Sequence, residues 1–296
     1  SNGAIVFPGE KYGLNTRVFI TSQGLPTYEA KEVGLTRIKF DKYNPDLSIV
    51  VTASEQDNYF KVVEKALYLM FPYLEGKMKH VSHGMLRLPT GKMSSRTGAV
   101  ITGESLLSDV ADLVAEKMRD REGISPEDLE QIITDVSVGA IKYSILKQAT
   151  GGDIIYDFDK SISFEGDSGP YLQYACVRAK SLLAKADKAK IKRKFDPSKV
   201  KADATLLEKM LYRFPEVVMR AGDSYEPHHI ATYLIELSAA FNNYYANTQI
   251  IGAAGAAAAD AKADTDAPYR IALTEAFSII MEKGLGLLGI RVPSKM

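Results

Sequence analysis

Apolar residues in the first ninety positions follow two rhythms. Arg17–Thr21 (RVFIT) and Leu47–Ala53 (LSIVVTA) are short β-branched runs that predict strands, the second one buried. Directly after the second run, Phe60, Val63, Leu67 and Met70 recur at helical spacing between Asn58 and Pro72, and the proline closes the helix. A strand followed at once by an amphipathic helix is the unit of a parallel α/β sheet. Two or three strands are visible, too few for a sheet covered on both faces, so the pattern predicts part of an α/β domain.

From about Ser105 the rhythm is almost wholly helical. Leu106–Asp120 carries apolar positions at helical spacing. Ser125-Pro126-Glu127-Asp128 supplies an N-cap serine, a proline at N1 and a carboxylate in the capping-box position. The helix it starts is expected to bury Leu129, Ile132, Ile133, Val136, Ile141 and Ile145. Further helices are predicted over Tyr171–Ala186, Asp203–Arg213, Pro227–Asn247 and Tyr269–Lys283, the last ended by Gly284. Gly252–Pro268 is rich in Ala, Gly and Asp and reads as a solvated connection, although its alanines also suit extension of a neighbouring helix.

Composition narrows the function classes a little. No apolar run approaches the roughly 18 residues of a membrane span, and Ser1-Asn2-Gly3 does not open a signal peptide. The 37 basic and 37 acidic residues cancel, which excludes a histone-like blanket of positive charge but leaves room for a local RNA surface. Cys176 is the one cysteine, so neither an internal disulfide nor a cysteine-built zinc site is available, and a reducing cytoplasm fits.

The segment with most chemistry runs from Gly84 to Gly98 (GMLRLPTGKMSSRTG). Lys92, Ser94, Ser95 and Arg96 place two cations and two hydroxyls within five residues, and Gly91 and Gly98 leave the flanking backbone free to close over a ligand. That inventory suits a triphosphate: cations offset the charge that builds as pyrophosphate leaves, and hydroxyls bond phosphate oxygens. On composition alone, a short Lys/Ser/Arg loop is more often a solvated turn.

The letters are more specific than the composition. Lys92-Met93-Ser94-Ser95-Arg96 resembles the KMSKS signature of class I aminoacyl-tRNA synthetases, in the KMSSR form typical of arginyl enzymes, and the preceding Gly84-Met85 is similar too. The resemblance implies ATP, accompanied by Mg2+, as a substrate. It places the Gly84 and Met85 backbone by the adenine and gives Lys92 the stabilisation of the adenylation transition state. Ser94 and Ser95 assist, and Met93 and Arg96 complete the ATP loop. No tightly bound cofactor and no protein metal ligand are implied. The second class I signature, HxGH, is not found around His80, His83, His228 or His229. The resemblance therefore implies a chain without adenylation activity by itself.

Thr27–Glu32 (TYEAKE) resembles the arginyl-enzyme segment in which a tyrosine and an acidic residue four positions later face the substrate. Residues four apart share a helical face, so Tyr28 and Glu32 can point into one pocket, and a carboxylate pairs bidentately with a guanidinium. The family position is often aspartate, one methylene shorter. Gln56, after the second strand, matches a family glutamine that contacts the substrate. Read without the family, these are a helix-start tyrosine, a solvent-facing glutamate and a strand-end glutamine. The cysteinyl enzymes resemble this chain less, since their zinc site needs more cysteines than Cys176.

Glu165–Ala175 (EGDSGPYLQYA) resembles the opening of the anticodon-binding domain of arginyl enzymes. Tyr171 and Tyr174 share a helical face and suit stacking on unpaired anticodon bases; Gln173 suits base edges and Arg178 a phosphate. The bland alternative makes both tyrosines half-buried packing residues. Ala240–Asn247 (AFNNYYAN) and Leu288–Met296 (LGIRVPSKM) resemble two further family motifs. They add Tyr245, Asn247 and Met296 as anticodon-side candidates, with Met296 as the native C-terminus. The run Lys185–Lys194 is basic, the usual composition of a solvated helix face, or else a border for the tRNA backbone.

Together these readings predict a mainly α chain. Residues 1–158 form the second half of a Rossmann-type α/β catalytic domain with its connecting helices, and 159–296 an all-α, DALR-type anticodon-binding domain. The implied partners are tRNA-Arg, arginine and ATP, with no membrane and a monomeric state. The alternative reading is a non-catalytic, synthetase-like RNA-binding module; an unrelated ATP-binding protein lacks its Walker-type glycine loop.

Overall fold

Thr27 decides where the first helix begins. Its hydroxyl donates to the carbonyls of Val18 and Phe19, at 2.8 and 3.0 Å, and its N–H donates to Phe19 as well. The helix start is thereby fastened to a strand. The computed structural model describes residues 2–89, 102–119, 121, 123–191, 193–199, 204–251 and 266–296. Packing divides the chain into one unit of residues 1–86 with 150–153 and a second of 87–149 with 154–296.

In the first unit, β1 (Ile5–Phe7) pairs antiparallel with β2 (Arg17–Ile20), and α1 (Tyr28–Tyr43) follows. The strand β3 (Ser48–Ala53), the helix α2 (Asp57–Met70) and the strand β4 (Met78–His83) then form a parallel unit, in register from Ser48 opposite Met78 to Ala53 opposite His83. This is the strand–helix rhythm expected from the sequence. Phe60, Val62, Val63, Ala66 and Leu67 of α2 pack with Phe19, Val33, Phe40, Leu74 and Met78 into one core. Each fully buried aliphatic side chain there stabilises by about 1.5–3 kcal/mol.

Two expectations need correction. Met70, the last residue of the expected stripe, is exposed, because the chain leaves the helix at Phe71. The strand expected to be buried is covered on one face only: Ile49 and Val51 of β3 remain 46% and 63% exposed.

The second unit is helical. The short strand β5 (Leu86–Arg87) leads into it, and α3 (Gly103–Met118) is capped by the Thr102 hydroxyl, which accepts from the Ser105 N–H. In α4 (Pro126–Leu146), Ser125 caps as expected, accepting from Asp128 N–H at 3.2 Å. Ile132, Val136 and Ile141 are buried, whereas Leu129, Ile133 and Ile145 are half-buried at the margin. After β6 (Ile154–Ile155) and the single turn α5 (Phe158–Ser161), Ser168 starts α6 (Gly169–Lys188) by accepting from Tyr171 N–H.

The helices α7 (Leu206–Ser224), α8 (His228–Asn247) and α9 (Ala267–Leu287) complete the unit. Its core stacks Phe241 on Phe277, ring centroids 3.9 Å apart, among Leu172, Leu234, Leu237 and Met281. Cys176 is buried there, and burial pushes its thiol up to about 11.

Two helices run past their expected ends. The helix α7 continues eleven residues beyond Arg213, through Pro215. Proline removes one helical hydrogen bond, but Pro215 sits on the exposed face, where its ring meets no packed neighbour. Gly284 does not end α9; it is a packing residue, since a Cβ there would lie 2.7 Å from Leu234 Cδ2. The left-handed turn comes later, at Gly289 (φ 68°), whose carbonyl accepts from Lys142 Nζ at 2.5 Å. Of the expected connection 252–268, residues 252–265 lie outside those described and Ala267 and Pro268 belong to α9.

The helices α4 and α6 approach each other closely, backbone against backbone. A Cβ on Gly169 would overlap the Gly139 carbonyl, and one on Gly139 would lie 2.7 Å from the Gln173 side-chain amide. By contrast, nothing stands near Gly222 in α7. We therefore expect Gly139→Ala to cost about 1–3 kcal/mol through overpacking. Gly222→Ala should add about 0.5–1 kcal/mol by restricting the unfolded chain. Urea unfolding of both variants checks the pair; a neutral Gly139→Ala would contradict the close contact.

Candidate functional site

Residues proposed for three ligands fall in the two units, beginning with α1 and α2. Tyr28 is the first residue of α1 and its side chain is 80% exposed, with the Lys31 ammonium 5.6 Å from the ring. Its carbonyl accepts from the Tyr59 hydroxyl at 3.0 Å, which brings the first turns of α1 and α2 together. Glu32, one turn further along α1, is half-buried. Burial first, then the charges of Glu32 and Glu29, push the Tyr59 phenol up to about 12, against an opposing pull from Arg17. Gln56 is exposed at the N-terminal boundary of α2, three positions before Tyr59.

The strongly held carboxylate in this region is Glu29. It is buried and pairs with Arg17 at 3.1 Å, and the Arg17 guanidinium lies 5.7 Å from the Tyr59 ring. Burial alone would raise the Glu29 carboxyl. Hydrogen bonds from its own backbone N–H and from Arg17, with the Arg17 charge, outweigh that and hold it below its usual value near 4.5. Sequence reasoning missed Arg17, Glu29 and Tyr59, because nothing in one sequence marks an ion pair twelve residues apart or a tyrosine on a facing helix.

Gly84 and Met85 form the second cluster. Gly84 is buried against the backbone of Gly152, and any Cβ would overlap the Gly152 carbonyl. The Met85 N–H donates to the Asp153 carboxylate at 3.1 Å, and His83 Nδ1 lies 2.8 Å from the Gly84 carbonyl. Close backbone approach thus explains the glycine, and Asp153, 68 residues away in sequence, is a partner that spacing alone does not reveal. Lys92, Met93, Ser94, Ser95 and Arg96 lie outside the described residues. The first unit also has a cavity of about 460 Å³ walled by Val6, Phe7, Phe19, Val33, Leu69 and Met70 among others. Its apolar lining offers no partner to a guanidinium or a phosphate.

The third cluster spans α6 and α8. Asn242 Nδ2 donates to the Tyr171 hydroxyl at 2.7 Å, and Arg178 donates to Asn242 Oδ1 at 3.2 Å. The Arg178 guanidinium lies 4.9 Å from the Tyr174 ring and 5.4 Å from the Tyr245 ring. Cation–π contacts of this sort contribute about 0.5–1 kcal/mol each when exposed. Tyr171, Tyr174, Arg178 and Tyr245 are therefore one surface cluster with edges open to solvent. Asn242 was missed as an individual, although it stands three residues before Tyr245 and so on the same helical face.

Gln173 corrects the expectation of a base-reading amide. It is 0% exposed, and its Nε2 donates to the carbonyls of Asp135 and Arg291, at 2.9 and 2.7 Å. It is a buried clamp because position 173 faces α4 while Tyr171 and Tyr174 do not. Asn247 is exposed on the last turn of α8, tied to Asn243 of its own helix. Met296 is half-buried at the end of the tail that Gln173 and Lys142 pin at Arg291 and Gly289. In the basic run, Arg193 is engaged by Asp187 and Glu275, at 2.6 and 2.5 Å, so its charge is offset locally.

Comparison with known proteins gives matches along nearly the whole chain. The family model described as "tRNA synthetases class I (R), catalytic domain" matches residues 1–158, and "DALR anticodon binding domain" matches 172–296. The arginine–tRNA ligase of Lactococcus lactis subsp. lactis is 34% identical over 301 residues, covering 100% of this chain and 50% of the relative. That of Halobacterium salinarum is 32% identical, covering 94% and 42%. Among solved structures, Thermus thermophilus arginyl-tRNA synthetase aligns at TM-score 0.78 and 26% identity, over 99% of this chain and 54% of that one. The Plasmodium falciparum enzyme aligns at TM-score 0.75 and 16% identity over 99% and 49%, a likeness of fold. The chain spans about half the length of the curated relatives it matches.

The Glu29–Arg17 pair generates a pH prediction. A carboxyl held below its unfolded value contributes stability that is present above about pH 4.5 and lost as pH falls through the folded-state value. Glu29→Gln should lower the melting temperature at pH 6 and flatten its decline between pH 5 and pH 3. Equal slopes in wild type and variant would show that the pair carries no acid-side stability.

Proposed function

The chain belongs to the class I arginyl-tRNA synthetase family, and from that premise we propose that it supplies the ATP loop, part of the arginine pocket and the anticodon-reading helices of an arginine–tRNA ligase. The reaction joins arginine and ATP as arginyl-adenylate with release of pyrophosphate. Arginine then passes to the terminal adenosine of tRNA-Arg. In this reading Lys92, Met93, Ser94, Ser95 and Arg96 meet ATP with its Mg2+. The backbone of Gly84 and Met85 lies by the adenine, where the tight Gly84–Gly152 approach supports a rigid edge. Tyr28, Glu32 and Gln56 face the substrate arginine, with the Tyr59–Tyr28 hydrogen bond holding the two helix starts together.

The observation that carries the proposal is the Arg178 cluster. Two tyrosine rings flank one guanidinium on a single surface within the region matched by the anticodon-binding model, a combination suited to stacking bases and neutralising a phosphate. Tyr171 and Asn242 position that guanidinium, and Asn247 and Met296 border the same helical domain. The 296 residues contain no HxGH, so the chain by itself binds tRNA without forming adenylate. Among the described residues no helix is long and apolar enough to cross a membrane. A cytoplasmic monomer completes the reading.

Two measurements test it. Binding to tRNA bearing an arginine anticodon should exceed binding to an unrelated tRNA at fixed salt, and Tyr174→Ala should weaken it by about tenfold, the loss of one base stack. Equal, salt-sensitive binding to both tRNAs, indifferent to Tyr174, would leave only a generic RNA-binding module. In a full-length enzyme containing this chain, Lys92→Ala should lower the adenylation kcat by about a hundredfold or more with little change in the KM for ATP. A pure KM effect would move Lys92 out of the transition state.

A further inference from the structure

Glu226, His228 and His229 form a cluster that neither the anticodon surface nor the ATP loop uses. They occupy the corner between α7 and α8, where Tyr225 takes a left-handed conformation (φ 60°) and the Glu226 N–H donates back to Ala221. The Glu226 carboxylate lies 3.0 Å from His229 Nε2, and the His228 and His229 rings stand 4.2 Å apart at 39°. One ligand atom from each of the three residues falls within 4.8 Å of the others. His228 Nδ1 is buried without a hydrogen-bond partner, a state that ordinarily costs free energy and calls for an occupant.

We propose that Glu226, His228 and His229 form a binding site for one divalent transition-metal ion, of which Zn2+ is the best match. The donor set decides the class of ion. Two imidazoles with one carboxylate suit a borderline cation such as Zn2+, whereas Mg2+ and Ca2+ prefer all-oxygen shells. Ligands at about 2.1 Å from a tetrahedral ion stand about 3.4 Å from one another. The present separations, all within 4.8 Å, would have to close to that spacing on binding, and the half-buried setting of all three residues leaves room for water in the fourth position. Arg220 of α7 and the N-terminal end of α8 work against a cation here, and the Glu226 carboxylate offsets them.

An ion at this corner would tie the short connection after α7 to the first turn of α8. Those helices are already joined by the Tyr233 hydroxyl, which donates to the Met210 carbonyl at 2.9 Å. The ion therefore acts as a structural clamp on the helical unit, and its signature is stability rather than turnover.

Chelator-stripped protein free of any affinity tag should bind one Zn2+ per chain by isothermal titration, at about micromolar concentration. At a hundredfold excess over the dissociation constant its melting temperature should rise by about 5 °C, while Mg2+ leaves it unchanged. Co2+ in place of Zn2+ should give a visible d–d absorption band. His228→Phe keeps a ring in the stack and removes one ligand, and Glu226→Gln keeps the shape and removes the charge. Both should lose the titration heat, the thermal shift and the Co2+ band, whereas His83→Gln should keep all three. The circular dichroism of the metal-free variants shows that they are folded. No stoichiometric binding at about 100 μM Zn2+, or binding that survives in both variants, overturns the assignment.

Discussion

The helical unit depends on how closely α4 and α6 approach each other. Gly139 and Gly169 let the two backbones meet with no side chain between them, and Gln173 fills the space beside that contact. Its Nε2 is spent on the carbonyls of Asp135 and Arg291 while Oε1 stays buried without a partner, so one buried residue fixes α6 against α4 and holds the C-terminal tail. Leaving that buried nitrogen unpaired as well would cost more than it gives, so its position is narrowly set. Once Gln173 points inward, Tyr171, Tyr174 and Arg178 are left at the other side of α6. The surface proposed for RNA is a consequence of the buried clamp.

A similar economy governs the first unit. A short parallel pair such as β3–β4 has few ladder bonds of its own, and α2 between the strands supplies most of the apolar burial. The start of α1 is tied to β2 by Thr27 and by the Arg17–Glu29 pair, and to α2 by Tyr59. Tyr28 and Glu32 inherit their positions from these ties. Residues proposed to meet a ligand therefore rest on neighbours that do not.

Legibility in the sequence followed the range of the interaction. The serine cap at Ser125 acts over three residues, and the helix start it predicts is where the structure has it, whereas the like cap at Ser168 starts α6 two residues before the expected Tyr171. β4 was not anticipated: Lys79, His80, Ser82 and His83 break its apolar pattern, and it exists because β3 lies beside it. Pro215 and Gly284 are helix breakers by local rule, yet one faces water and the other makes room for Leu234. Family letters located Tyr171, Tyr174, Arg178 and Tyr245 on a shared cluster but did not separate Gln173 from them. The difference between a surface amide and a buried clamp is a matter of which helix stands opposite.

Family matching and packing cut this chain at different places. The catalytic model extends to residue 158, whereas packing places α3 and α4, within 87–149, in the same unit as α6 to α9. The KMSSR letters precede α3 by a few residues in sequence. The helix α3 packs on α4, α4 packs on α6, and α6 carries Tyr171, Tyr174 and Arg178. Interiors packed at crystal-like density transmit displacement instead of absorbing it. A displacement of α6 would thus be felt by α4 through the Gly139–Gln173 contact. The glycine contact that leaves Tyr171, Tyr174 and Arg178 on the surface is therefore also a direct backbone link between α6 and α4.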